Sequence, residues 1–160
     1  RRAAVKTLGA IGIDTVSPLV AAMLTSQDVT VRGSAAKALA QVIINYPDIP
    51  FPEEGIQGLK TAMSDANPVV HIAAVMALGE MGTPAFEIMV EALHATDNIA
   101  LQVSLVNALA SLGDRRAEAV LVAAIENTTF DGYVRESATS ALPRLEQTLK
   151  YKEMKTSQRG

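Results

Sequence analysis

The chain has 160 residues, 49% of them hydrophobic, no cysteine, no tryptophan and a formal charge of -3 at neutral pH. That apolar share fits one folded domain rather than a disordered chain, and the scarcity of aromatics favours close helix packing over a sheet sandwich. Without cysteine there is no disulfide, thiolate metal site or cysteine nucleophile, and net acidity argues against a surface that wraps nucleic acid.

In chain order, the first element is a helical stretch from Arg1 to Leu8, followed by the break Gly12-Ile13-Asp14. Val16, Leu19, Val20, Met23 and Leu24 then form the stripe of an amphipathic helix, which the turn Ser26-Gln27-Asp28 ends. The next segment, Val31-Arg32-Gly33-Ser34-Ala35-Ala36-Lys37-Ala38-Leu39, is the fullest copy of a motif that recurs down the chain. Three prolines between Asn45 and Pro52 then interrupt the pattern and predict an inserted loop over residues 45–55.

Ile56, Leu59 and Met63 form a second, shorter stripe, and Ser64-Asp65-Ala66-Asn67 leads into the motif copy Val70 to Leu78. After Gly82-Thr83-Pro84, Phe86, Met89, Val90 and Leu93 repeat the stripe, Thr96-Asp97-Asn98 the turn, and Leu101 to Leu109 the motif. Gly113-Asp114-Arg115 opens the last unit, with Ala117, Val120, Leu121, Ala124 and Ile125, a turn at 128–132, and the copy Val134 to Leu142. Residues 150–160 read as a polar C-terminal tail that caps the stack.

The motif closes at Leu8, Leu39, Leu78, Leu109 and Leu142, a period of about thirty-one residues with one interval lengthened by the proline-rich loop. Each period holds helix, tight turn and helix, so the fold expected is all-α: an α-solenoid of about four to five stacked helix pairs, forming a single domain over 1–160. Arg1 aligns with Arg32 and no first helix precedes it, so the chain is expected to be part of a longer solenoid.

Small residues after Val-Arg and a closing Ala-Leu make the pattern resemble the HEAT-like repeats of the phycobilisome-lyase type. Repeats of that type occur in chromophore lyase subunits, in phycobilisome degradation factors and in adaptors. The resemblance therefore implies a binding surface and leaves its ligand open. The expected function is a non-catalytic protein-binding scaffold, with a subunit or chaperone of a phycobiliprotein bilin lyase as the alternative.

The partner surface is expected on the outward slots of the second helices: Gly33 and Lys37, Ile72 and Met76, Val103 and Asn107, Glu136 and Ser140. On a concave face Ile72, Met76 and Val103 would form an apolar patch between Lys37 and Glu136. Tyr46 and Phe51 are further candidate contacts on an exposed loop.

Asp28 precedes Arg32 by four positions, and Asn67 and His71, Asn98 and Gln102, Asp131 and Arg135 repeat the spacing. In the related HEAT family such positions bridge successive repeats, which implies a structural ladder here. The two histidines, His71 and His94, lack the neighbouring Glu of the metal-binding deoxyhypusine hydroxylase repeats, so no metal is expected.

Glu53-Glu54 and the pair Glu87 and Glu91 read as helix-start and helix-surface charge rather than an acid-base pair. No glycine-rich phosphate loop or nucleophile elbow is present. Residues 1–143 are net acidic, unlike the basic groove of the alkylpurine glycosylases that also use such repeats. No cofactor, nucleic acid or membrane insertion is expected, the partner is a protein, and the expected location is cytoplasmic, since Arg1 to Lys6 has no signal-peptide character.

Overall fold

The computed structural model of the protein describes residues 12–159. Among them are eight α-helices and two short 3-10 turns, in two compact units that meet in sequence at Met81 and Gly82.

In the first unit a 3-10 turn, Ile13–Thr15, leads into α1 (Val16–Thr25), which is followed by α2 (Val29–Asn45), α3 (Glu53–Ala62) and α4 (Pro68–Glu80). α1 pairs with α2 and α3 with α4, while α1 packs on α3 and α2 on α4, so like helices form layers. The second-helix layer packs closely because its contact positions are small: Ala35, Ala36, Ala38, Ala73, Ala74 and Ala77 are all buried. Met23, Leu39, Val42, Leu59 and Leu78 fill the space between layers.

The second unit repeats the pairing, with a 3-10 turn at Thr83–Ala85, α5 (Phe86–Ala95), α6 (Ile99–Leu112), α7 (Ala117–Glu126) and α8 (Gly132–Arg159): α5 pairs with α6, α7 with α8, and α6 packs on α8. Its core includes Met89, Leu93, Leu105, Leu109, Leu121 and Leu145. No described helix is long and apolar enough to cross a membrane. The repeated helix pairs make this an all-α solenoid fold.

Each second helix starts on an Asp or Asn whose carboxyl or amide oxygen accepts a backbone N–H that the first turn leaves unsatisfied. Asp28 accepts from Thr30 at 2.7 Å, Asn67 from Val69 at 2.9 Å, Asn98 from Leu101 at 3.0 Å and Asp131 from Tyr133 at 2.9 Å. Two residues earlier, Ser26, Asp65 and Thr96 accept from the amides of the cap residues themselves, which fixes the tight turn between paired helices.

The segment read as a polar tail is the continuation of α8 to Arg159. It is tied down by Lys152, whose Nζ donates to the carbonyls of Leu112 at 2.7 Å and Gly113 at 3.2 Å, and by an ion pair between Glu153 and Arg115. Gly113 holds the left-handed conformation that ends α6, with φ at 62°. Lys152 thus brings a positive charge to the negative end of a helix.

Candidate partner-binding surface

In the first unit, Lys37 on α2 and Ile72 and Met76 on α4 are exposed, Ile72 at 38% and Met76 at 63% of full accessibility. Long apolar side chains are held out to solvent in the layer where α2 packs on α4. Gly33, expected on the same face, is buried instead, and a Cβ placed there would come within 3.4 Å of the Val69 side chain. One turn of helix separates Gly33 from Lys37, and the first of the two slots rotates towards α4.

In the second unit Glu136 and Ser140 on α8 are exposed, while Val103 and Asn107 on α6 are half-buried. Asn107 accepts a hydrogen bond from Arg144 through its side-chain oxygen, so its amide is engaged within the unit. The structure thus brings Lys37, Ile72 and Met76 onto one unit and leaves Val103 partly covered in the other.

The loop aromatics turn towards the body of the first unit. Tyr46 and Phe51 are half-buried while Pro47, Asp48, Ile49 and Pro50 between them are exposed. A Cβ on Gly55 would fall 2.4 Å from Phe51 Cε1, and one on Gly12 3.3 Å from the Tyr46 ring. Glycines at those two positions let the rings approach the backbone closely, one at each end of the loop.

The residues expected to form a ladder are wired differently from one another. Asp28 caps its own helix, and Arg32 reaches across to Asp65 of the next hairpin with two hydrogen bonds, Nε to Oδ2 at 2.8 Å and Nη2 to Oδ1 at 3.2 Å. The guanidinium also donates to the Ser26 carbonyl at 3.1 Å. The hydrogen bonds from Arg32 hold the Asp65 carboxyl below the ordinary carboxylate range, against the opposing effect of its burial.

At the matching positions in the second unit, Gln102 donates to the Thr96 carbonyl at 2.8 Å and Arg135 to the Ile125 carbonyl at 3.0 Å, both within their own hairpins. These rungs satisfy carbonyls left free where a first helix ends, rather than bridging repeats. His71, the remaining rung, is 1% exposed, and its Nε2 has no hydrogen-bond partner.

Two features were not anticipated from sequence. Arg116 donates to Asp114 at 2.8 Å and 3.1 Å and to Glu87 at 2.8 Å, and its guanidinium lies 4.2 Å over the centre of the Phe86 ring. Glu87 is therefore an ion-pair partner, the only hint being an Arg just beyond a helix break. The second feature is a cleft of about 450 Å³ in the second unit, where the turn after α5 faces the turn after α7. His94 and Phe130 stack in it with ring centres 6.4 Å apart and planes 22° from parallel.

No group of three or more His, Asp or Glu side chains among the described residues is arranged to hold a metal ion.

Residues 52–145 match the HEAT repeat family. The chain is 61% identical over 152 residues to phycocyanin operon protein Z of Pseudanabaena tenuis, covering 95% of this chain and 75% of that protein. It is 33% identical over 149 residues to the bilin biosynthesis protein CpeZ of a Synechococcus strain, covering 89% and 80% of the two chains.

Proposed function

The chain belongs to the HEAT repeat family, and from that premise we propose that it serves bilin attachment, holding an apo-phycobiliprotein as a subunit or chaperone of the lyase reaction. The observation that carries this reading is the pair of relatives, one named for bilin biosynthesis and one for the phycocyanin operon, matched over most of their length. With no cysteine in the chain, it does not itself hold a bilin through a thioether, so the acceptor thiol belongs to the partner.

Its part is to bind protein. Met76 and Ile72 offer exposed apolar surface, with the exposed charge of Lys37 on the helix that packs against theirs, and covering what is still open of the two side chains is worth about 0.5–2 kcal/mol each.

The test is absorbance of covalently attached bilin when an apo-phycobiliprotein is incubated with free bilin and its lyase partner, with and without this protein. Faster or more complete attachment supports the reading. Unchanged attachment, with no binding of the apo-protein, overturns it. Met76→Glu supplies the residue-level check: native helicity and melting, with affinity for the apo-protein weakened by at least ~2 kcal/mol, about thirtyfold.

A further inference from the structure

The cleft between the two turns of the second unit has a chemistry unlike the apolar helix surface. Its aromatic wall is the stacked pair His94 and Phe130, Ile99 adds an exposed aliphatic edge, and Asp97 and Asp131 stand exposed at the rim. Neither carboxylate forms an ion pair among the described residues, and Asp131 spends one oxygen on the Tyr133 amide, leaving the other for a ligand.

Gln102 in the lining is nearly buried and committed to the Thr96 carbonyl, so that part of the lining is held in place. Two uncompensated carboxylates repel anions, and His94, Asp97 and Asp131 do not form a group arranged to hold a metal ion. A cation with a flat face and a hydrocarbon stem satisfies all three elements at once: rings to stack on, an aliphatic edge to lie along and acceptors to bond.

We propose that this cleft receives an arginine side chain presented by a protein partner, with the guanidinium against the His94–Phe130 wall and its N–H groups directed to Asp97 and Asp131. Arginine fits better than lysine because a planar guanidinium stacks on rings and bonds carboxylates in pairs, whereas an ammonium is a compact, strongly hydrated charge. The inference stands on the cleft alone, so its failure leaves the bilin-attachment reading where it was.

The experiment is an NMR titration of the isotope-labelled full chain with N-acetyl-arginine amide, and in parallel with N-acetyl-lysine amide. The expected result is a saturable shift of the amides at 96–102 and 129–131, with millimolar affinity for the arginine compound and at least about threefold weaker binding of the lysine compound. Asp97→Asn should weaken arginine binding at least threefold at unchanged helicity. Phe130→Leu, which keeps the cleft apolar, should erase the preference for arginine over lysine.

Three outcomes overturn the proposal: no saturable shift, equal binding of the two compounds, or full affinity in Asp97→Asn. Self-association of the free protein that Asp97→Asn abolishes would also overturn it, by making the occupant a second copy of the chain.

Discussion

One chemical change made at two glycines of the first unit should have opposite effects on stability. Gly33 and Gly58 both lie inside helices, where replacement by Ala removes backbone freedom from the unfolded chain and gains about 0.5–1 kcal/mol if the methyl has room. At Gly33 the new Cβ would meet only the Val69 side chain, at 3.4 Å, an ordinary contact. Gly33→Ala should therefore stabilise by that full amount.

At Gly58 the Cβ would fall 2.8 Å and 3.1 Å from the two methyls of Val20 and 3.4 Å from Met23 Cε. Val20 is β-branched and buried on α1, so it has no free rotamer into which to withdraw. Overpacking of this kind costs about 1–3 kcal/mol, which cancels the backbone gain and leaves a net loss of up to about 2.5 kcal/mol. Urea denaturation followed by far-ultraviolet circular dichroism measures both variants against the parent chain. A stabilised Gly58→Ala, or a destabilised Gly33→Ala, would refute the packing of α1 on α3 and of α2 on α4 from which the two signs come.

Leu109→Ala removes a fully buried side chain from α6 and should cost about 2–5 kcal/mol, while Leu142→Ala, at a half-buried position, should cost clearly less in the same assay. Because Arg32 holds the folded Asp65 carboxyl below its unfolded value, that pair stabilises the fold above the ordinary carboxylate range and loses its contribution as the pH falls. The urea midpoint of Asp65→Asn should therefore fall less steeply than that of the parent between about pH 5 and pH 2, and an identical slope would contradict the pairing. Lys152→Met keeps the aliphatic stem but removes the charge at the end of α6, for an expected loss of about 0.3–1 kcal/mol that high salt should shrink.

The features legible in the sequence are those set by neighbours close along the chain. The Asp and Asn caps, the glycine ends and the small-residue faces all act within a few residues, so their letters announce the helix pairs directly. Arg32 shows where this stops: its spacing from Asp28 points to a local bond, yet its carboxylate partner lies thirty-three positions on, in the next hairpin. Gly33 is similar, since the repeat alignment gives its slot but not the Val69 side chain of the next hairpin that faces it. The cleft was invisible for the same reason. His94 at the end of α5 and Asp97 just after it lie a full repeat away from Phe130, and only the stacking of hairpins brings them together.

The outward placement of Met76 also divides the methionines by their access to oxidants. Met23, Met63 and Met89 are sealed in the core, whereas the thioethers of Met76 and Met154 are open to solvent. A peroxide meets these two first, and sulfoxide formation at Met76 would replace a soft apolar contact with a strongly polar S=O group while leaving the core methionines reduced. A surface that binds through Met76 thereby becomes one whose adhesion can be lost and restored chemically, without unfolding a helix.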